Sequence, residues 1–325
     1  MNIKNLQDQT VYLEDMDGLT TAGSIDSPTR ITLMETDGAT ILSTIHYADF
    51  SGLITLDLAK ILKEYALPRL PDDEWYSTTE QSLLLTFRIA TTTYVQEYSF
   101  TLNCFSRDAA TMMTDIDALD VPIDDMLPIP VSVHTTADMM TLYLETARNR
   151  TNMSAENCDN VGRGMSLKTV YIDTLGAAVK PFRICVEDQH RVNRYTPIYN
   201  PKPGTFELFL FRNRFGALEL FPMSGDLHLS PDYKYDVVKV GAYTNSVLKS
   251  EENTLTQYTG ALTRKASRVL ASMLADGYAF HYANGEWKRI IITEAKVALR
   301  KNDMIHKQSF SFRYQEPVEI RNINI

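Results

Sequence analysis

Residues 205–226, TFELFLFRNRFGALELFPMSGD, form the densest aromatic stretch of the chain and limit the folds that the chain can adopt. Large apolar residues alternate in both halves of the stretch, around a turn-forming run at residues 213–216. Alternation with a period of two is typical of β-strands, so the pattern predicts a β-hairpin. Because both faces carry large apolar groups, we expect the hairpin to lie between two layers or against another chain.

Two phenylalanines of this hairpin need a cover of their own. Phe209 and Phe211 point away from the face that carries Leu208 and Leu210. Leaving a large apolar side chain in water forfeits about 1.5 to 3 kcal/mol. The pattern therefore predicts a self-assembly contact at Phe209 and Phe211, which builds a homo-oligomer in the form of a closed ring or trimer. The alternative is a cover from the chain's own second predicted helix, around residues 269–274.

Length and charge set the broad class of the protein. A chain of 325 residues predicts two domains, at roughly 150 residues per domain. The formal net charge of −9, without a local cluster of Lys and Arg, repels phosphate backbones. We therefore expect no nucleic-acid partner.

Three cysteines, Cys104, Cys158 and Cys185, are far apart in the sequence and odd in number. This spacing indicates reduced, buried thiols rather than a disulfide framework. The first residues lack the apolar core of a signal peptide, and no run approaches the ~20 apolar residues of a membrane span. We expect cytoplasmic synthesis and no membrane partner.

The predicted fold is mainly β with two short helices, arranged as two or more β-sandwich-like domains. Residues 1–105 form an N-terminal domain with one helix, residues 106–130 form an acidic linker that contains prolines, and residues 131–325 form a β-rich domain with one helix. The helices are expected at residues 58–65, capped by Asp57, and at residues 262–275, stopped by Gly277. Asn284-Gly285 is the dipeptide of a two-residue hairpin turn.

Candidate catalytic and metal-binding residues are few. The acidic run Asp115, Asp117, Asp120, Asp124 and Asp125 lacks the glycine and the terminal glutamate of an EF-hand loop and indicates a solvated linker. The six histidines stand singly, without the spacing of a metal site, and most are expected to be surface or edge-strand side chains. We predict no metal site, no cofactor and no catalytic residues.

Cys185 and His190 are five residues apart, a separation that suits a nucleophile and its base. No catalytic signature surrounds them, and a cysteine inside FRICV on a strand is usually part of the core. The sequence favours a protein without enzymatic activity.

The two tryptophans have different settings. Trp75 lies in the polar stretch PDDEWYSTTE and is a candidate exposed aromatic contact for a sugar or a protein partner, the alternative being a lid over the core. Trp287 follows the Asn284-Gly285 turn and is expected to pack across its hairpin.

The order of the C-terminal elements resembles a family of virion proteins from phages and prophages of Bacteroides-type bacteria. The likeness rests on the aromatic strand and turn FLFRNRFGALELFPMSGD, a long polar strand pair, the helix LTRKASRVLASMLAD, the hairpin HYANGEWKRIIIT and the strand HKQSFSFRYQEP. The stretch GLITLDLAKILKEYAL is similar to the first domain of that group. These motifs are structural, and none of them is diagnostic of an activity.

The resemblance implies a structural component of a phage tail tip or baseplate, loosely of the distal tail protein kind. Such a component assembles with its own copies and with other tail proteins and ends in the virion tail. The competing interpretation is a non-catalytic binding module for carbohydrate or for a protein partner. An assembly protein buries large symmetric surfaces, whereas a lectin-like module has a concave aromatic pocket on a single chain.

Overall fold

The computed structural model of the chain describes residues 2–35, 39–59, 61–62, 70, 76–77, 84–91, 96–103, 114–123, 126–135, 140–153, 164–174, 180–240, 243–298 and 306–315. Strands in several sheets dominate these residues, so the prediction of a mainly β protein is confirmed. That the sheets form β-sandwich-like domains stays a prediction.

Eight strands lie in the described part of the N-terminal third, with two short 3₁₀ helices at Ile3–Leu6 and Leu13–Met16. The strands are β1 (Gln9–Tyr12), β2 (Leu19–Ala22), β3 (Thr29–Glu35), β4 (Thr40–His46), β5 (Leu53–Leu56), β6 (Tyr76–Ser77), β7 (Leu84–Thr91) and β8 (Gln96–Asn103). Five of them form a sheet in the order β1-β8-β7-β3-β4, in which β1 and β8 are parallel, and β2 pairs with β5. The strands β3 and β4 pair antiparallel, as do β7 and β8.

The middle of the chain forms two further sheets. Its strands are β9 (Ala118–Pro122), β10 (Leu127–Thr135), β11 (Met140–Thr146), β12 (Arg150–Asn152), β13 (Gly164–Ile172), β14 (Phe182–Asp188), β15 (Asn193–Tyr195) and β16 (Ile198–Lys202). One sheet has the order β10-β13-β6, so that a short strand from the N-terminal third completes it. The other has the order β12-β11-β14-β16-β9, with β15 paired to β14.

The C-terminal part forms a seven-stranded sheet in the order β18-β17-β21-β22-β23-β20-β19. Its strands are β17 (Glu207–Arg212), β18 (Leu218–Met223), β19 (Leu227–Val240), β20 (Tyr243–Tyr258), β21 (Tyr278–Ala283), β22 (Glu286–Lys296) and β23 (Ser309–Tyr314). The predicted hairpin of residues 205–226 is β17–β18. The hairpin β21–β22 turns at Asn284 and Gly285, whose φ angles of 57° and 81° are the positive values that this tight turn requires.

The second predicted helix is present as α1, Arg264–Asp276. The Thr263 hydroxyl caps its start by accepting a hydrogen bond from the Ala266 N–H at 3.2 Å. Gly277 ends it in the left-handed conformation, as predicted, and donates its N–H to the Met273 carbonyl. Only one helix is described in full rather than two: of the first predicted helix, Ala59, Ile61 and Leu62 are helical, and most of the remainder lies outside the described residues.

Two hydrophobic cores hold the sheets together. The first is built from the five-stranded sheet, β2, β5 and the 3₁₀ helices, and it also includes Phe215 of the central hairpin. The second joins the six-stranded and seven-stranded sheets with β10, β13 and α1. The central hairpin therefore contributes to both cores.

The predicted linker, residues 106–130, contains β9 and the first four residues of β10 in its second half. Asp120 hid the strand pattern of β9, because it is exposed between the buried residues Leu119 and Val121. Pro128 and Pro130 are two residues apart, so their backbone nitrogens point to the same side of β10. Because β10 is an edge strand, prolines on its outer side are tolerated. The division of the chain into residues 1–105 and 131–325 otherwise stays a prediction.

Candidate functional site

A cavity of about 440 Å³ lies between β10, β18 and the segment that carries β14, β15 and β16. Val131 and Val133 of β10 and Leu218 of β18 line it with apolar surface. Polar side chains enter it from the other strands, among them Glu219 of β18 and Arg194 of β15. An apolar cavity into which a few polar groups converge is the usual form of a ligand site.

Glu219 is the most unusual residue of this cavity, because β18 is buried along its whole length. The Thr114 hydroxyl donates to Oε1 of Glu219, and Nδ2 of Asn213 donates to Oε2 at 3.1 Å. Burial raises the pKa of the Glu219 carboxyl to about 8, and the neighbouring Asp115 carboxylate adds to the rise, while the bond from Asn213 opposes it. At neutral pH the group is therefore mostly an uncharged carboxylic acid.

Asn213 holds Glu219 in place through the turn of the central hairpin. Its Oδ1 accepts hydrogen bonds from the Phe215 N–H at 3.0 Å and the Ala217 N–H at 3.1 Å. Gly216, with a φ of 85°, completes the turn. Oδ1 thus shapes the turn while Nδ2 reaches Glu219, so one side chain links the hairpin turn to the cavity.

The opposite wall of the cavity carries two tyrosines and two arginines. Tyr199 is buried and stacks on Phe182, with the ring centroids 5.2 Å apart, and burial raises the pKa of its hydroxyl. Tyr195 is 45% exposed, and the guanidinium of Arg183 lies 5.9 Å from its ring centroid. Nε of Arg194 is buried and has no hydrogen-bond partner among the described residues. The wall thus combines aromatic surface with a donor that can serve a ligand's oxygen.

Sequence reasoning assigned Glu219 to one face of an alternating strand and missed its role in the cavity. The signal was available, because a carboxylate inside a hairpin with two apolar faces must be buried among partners. Tyr199 and Arg194 carried no such signal, since the pairing of β14, β15 and β16 brings them together.

Cys185 and His190 are not brought together by a hydrogen bond among the described residues. The Cys185 thiol is buried and contacts Nη2 of Arg150 at 3.4 Å and Oδ1 of Asn193 at 3.5 Å. Burial raises the pKa of this thiol, and the Arg150 guanidinium opposes the rise. His190 is exposed in the turn after β14. The prediction that Cys185 is a core cysteine agrees with this arrangement.

A second buried polar group lies in the seven-stranded sheet. Nε2 of His281 is 2.8 Å from Oε2 of Glu207, and its Nδ1 is 2.7 Å from the hydroxyl of Tyr314. His281 and His306 are exceptions to the expectation that most histidines are surface or edge-strand side chains, because both are buried. His281 is covered because it lies on β21, in the middle of the sheet, between β17 and β22.

Phe209 and Phe211, the predicted self-assembly contact, are both 0% exposed within the single chain. Phe310 of β23 packs against both rings, with centroids 5.2 and 5.8 Å away. The two side chains therefore offer no surface to a second copy, and the intramolecular alternative describes them better. The Phe310 ring comes from β23, a strand about a hundred residues later in the chain, whereas the predicted alternative took the cover from the helix around residues 269–274.

Trp287 packs across its hairpin as predicted, with its ring centroid 4.9 Å from that of Tyr282 on the paired strand. Trp75, the predicted exposed aromatic contact, lies outside the described residues.

The acidic run is partly ion-paired. Asp115 accepts hydrogen bonds from Arg214, and Asp117 lies 2.5 Å from Nζ of Lys265. Asp124 and Asp125 lie outside the described residues. In the described parts of the chain, no group of three or more His, Cys, Asp or Glu is placed to hold a metal ion. No helix in those parts is long and apolar enough to cross a membrane.

No protein-family model and no curated protein matches the chain. Two solved structures are among those that match it. One is a Bacteroides ovatus SGBP-B from a mixed-linkage glucan utilization locus, in complex with a mixed-linkage heptasaccharide, at 8% identity over 94% of this chain and 66% of that one, with a TM-score of 0.17. The other comprises the first four immunoglobulin domains of Sidekick-1, at 9% identity over 89% and 74%, with a TM-score of 0.19. TM-scores this low do not establish a shared fold or function.

Proposed function

We propose that this protein is a non-catalytic binding module and that its ligand site is the cavity around Glu219. The proposal rests on one observation: a single concave site joins the tyrosines Tyr195 and Tyr199 to the uncharged carboxyl of Glu219 and to the unpartnered Nε of Arg194. Convergent polar groups in an otherwise apolar cavity orient a small ligand. This is the concave aromatic pocket that distinguishes a binding module from a purely structural part.

The ligand class that suits these groups is carbohydrate. A tyrosine ring offers a flat apolar surface with a polar tip, which matches the mixed character of a sugar face. The Arg194 guanidinium donates to ring or hydroxyl oxygens, and the Glu219 carboxyl both donates and accepts in its uncharged form. Arg183 also favours a sugar that carries a carboxylate, because a guanidinium binds carboxylates through paired hydrogen bonds. Nη2 of Arg194 already lies 3.8 Å from Oδ2 of the buried Asp188, so Arg194 offers the ligand its Nε–H.

The setting of Glu219 supports binding rather than catalysis. Both carboxyl oxygens have protein partners, Thr114 and Asn213, so the group is held by the scaffold. The hydroxyl of Ser132, another lining residue, is directed to the Leu218 carbonyl at 3.3 Å. These groups therefore fix the position of the lining side chains and the shape of the cavity.

The test is a screen of the purified protein against an array of neutral and acidic oligosaccharides, followed by calorimetric titration of each hit. Tyr195→Ala and Arg194→Gln are expected to weaken binding by about tenfold or more, which corresponds to 1.4 kcal/mol. Tyr47→Ala is the matched control, because Tyr47 is an exposed tyrosine outside the cavity and its loss is expected to change nothing. Binding that survives both cavity variants, or a screen without hits, contradicts the proposal.

We propose as a second function a structural part of a phage tail tip or baseplate. One feature favours it, a projecting strand pair that a sugar-binding module does not require. β19 and β20 continue as a long two-stranded ribbon past the last residue that pairs with β23. Projecting strand pairs are suited to contacts between copies. The test is the set of genes that flank this one: tail-tube and tape-measure genes support the assignment, and unrelated metabolic genes contradict it.

A further inference from the structure

We propose that the outer edge of β19 pairs antiparallel with the β19 edge of a second copy of this chain, and that Tyr235 lies opposite its own counterpart. The proposal goes beyond the cavity around Glu219, and it moves self-association from the buried Phe209 and Phe211 to a different surface. β19 is an edge strand of the seven-stranded sheet, and its described neighbour is β20 alone. Its outer row of backbone groups is a template for another strand.

The exposed part of β19 is long. β23 pairs with β20 at residues 255–258, whereas β19 and β20 stay paired from Leu227 and Gln257 out to Val240 and Tyr243, with one register shift between Lys234 and Tyr235. About ten residues of β19 therefore extend beyond the sheet, which at about 3.4 Å per residue is roughly 34 Å. A two-stranded ribbon without further support is only marginally stable in water, so added strands stabilise it.

The ribbon carries an apolar row on one face. Tyr233, Tyr235 and Val237 are 46%, 58% and 70% exposed, and residues two apart on a strand lie on the same face. The apolar side chains at the start of β19 are less exposed, because Leu227 and Leu229 pack against the second core. Pairing with a second ribbon extends this row and covers part of each side chain with its cross-strand neighbour.

Charge selects the partner as a second copy. When Tyr235 faces Tyr235 of the partner, Lys234 faces Asp236 of the partner in both directions across the twofold axis, and Tyr233 faces Val237 of the partner. Within its own chain, Nζ of Lys234 also lies 3.1 Å from Oε1 of Glu252 at the exposed surface of the ribbon. Both kinds of pair are favourable cross-strand neighbours. The strand is thus complementary to itself in this register.

Neighbouring registers are excluded by the same charges. A twofold axis perpendicular to the sheet keeps the same face of both strands on the same side. Each allowed register therefore has one residue opposite its own copy, and neighbouring registers differ by one in the number of that residue. An axis at Lys234 places two lysines opposite each other, and an axis at Asp236 places two aspartates opposite each other. Pro231, which has no N–H to donate, limits the pairing at the start of the strand.

The charged pairs give a direct test by charge reversal, with light scattering of the full chain between about 1 and about 200 μM. The wild type is expected to show twice its mass of 36.9 kDa. Lys234→Asp and Asp236→Lys are each expected to give monomers, because each places like charges opposite each other. The double variant Lys234→Asp/Asp236→Lys restores the dimer, and an equimolar mixture of the two single variants forms a heterodimer.

A cross-link tests the register itself. Tyr235→Cys is expected to form a disulfide-linked dimer under mild oxidation, because directly opposite residues of paired strands are close enough for that bond. Asp232→Cys, whose opposite residue in this register is Val238, is the matched control and is expected to stay monomeric on a non-reducing gel. Both sites are exposed, so circular dichroism is expected to show unchanged folding. A monomeric wild type at the highest concentration, or a dimer that both single charge reversals leave intact, overturns the proposal.

Discussion

The ring of Phe209 stacks on the imidazole of His281, with the two centroids 4.6 Å apart. The two residues face each other on the paired strands β17 and β21. Phe310 and Phe312 of β23 meet the same phenylalanine ring edge-on. The phenylalanine with the strongest sequence signal for a contact between copies is therefore the centre of an aromatic cluster within one chain.

Phe209→Ala is expected to lower the free energy of unfolding by about 3 to 5 kcal/mol, because it removes a fully buried ring and leaves a cavity. Denaturant unfolding measures the change. Tyr47→Ala is the control and is expected to change stability by no more than about 0.5 kcal/mol, since Tyr47 is exposed. If Phe209→Ala dissociates an oligomer and leaves the unfolding free energy unchanged, the residue belongs to an interface after all.

Glu219 is expected to make stability depend on pH. Its pKa in the folded protein, about 8, is above the ordinary value of 4.5, so the folded state keeps a proton that the unfolded state releases. Stability is therefore highest below about pH 4.5 for this group alone and is lost as the pH rises toward 8, by about 3 to 5 kcal/mol in total.

Glu219→Gln cannot ionise, so its unfolding free energy is expected to lack this decline. The measurement is denaturant unfolding of both proteins at several pH values between about 5 and about 8. Glu294→Gln, a change at an exposed position of β22, serves as control and is expected to follow the wild type. Parallel curves for wild type and Glu219→Gln would show that Glu219 ionises freely in the folded protein.

Arg212 and Asp276 join the central hairpin to the end of α1 through a buried ion pair. Nε of Arg212 is 2.7 Å from Oδ2 of Asp276, and the side chains are 4% and 8% exposed. Arg212→Ala is expected to cost about 3 to 5 kcal/mol, because it leaves a buried carboxylate without its counter-charge. The double variant with Asp276→Ala is expected to cost less than the sum of the two single variants.

A double-mutant cycle on urea unfolding measures this coupling, which is expected to exceed about 1 kcal/mol. The exposed pair Lys265–Asp117, with side chains 56% and 67% exposed, is the matched control and is expected to couple by less than that. Equal coupling energies in the two cycles would contradict the role of burial.

Gly225 lies where two backbone segments meet. A Cβ atom at this position would lie 2.2 Å from the Tyr258 carbonyl oxygen, which is backbone and cannot rotate away. Gly225→Ala is therefore expected to cost about 2 kcal/mol or more in thermal or denaturant unfolding. Gly285→Ala is the control for backbone conformation alone, because a Cβ there meets open space at a φ of 81°, and about 1 kcal/mol is expected. A smaller effect at Gly225 than at Gly285 would argue against the close approach.

The sequence predicted the elements whose pattern is local. The hairpin β21–β22 follows from Asn284-Gly285, and the end of α1 follows from Gly277, because both signals act over a few residues. The sequence did not predict β9, whose exposed Asp120 belongs to an acidic run that resembles a linker. It also did not predict β16, which pairs in parallel with β9 some eighty residues earlier in the chain.

The candidate site escaped sequence reasoning because its residues come from separate strands. Thr114 and Glu219 are about a hundred positions apart, and Arg194 reaches the same cavity from β15. Only the packing of the six-stranded sheet against the central hairpin places them together. Burial of Glu219 was open to prediction from the two apolar faces of β18, whereas its partners were not.

The place of β23 in its sheet has a consequence for how the chain is made. β23 lies between β22 and β20, yet it is the last of the described strands to leave the ribosome. Until Ser309–Tyr314 emerges, the seven-stranded sheet exists only as two unjoined parts, and the rings of Phe209 and Phe211 lack Phe310 and Phe312. At about 5 to 20 residues per second, translation from Arg212 to Tyr314 leaves those rings uncovered for roughly 5 to 20 seconds. The nascent chain therefore exposes apolar rings during this interval, and we expect premature termination before β23 to leave an aggregation-prone product.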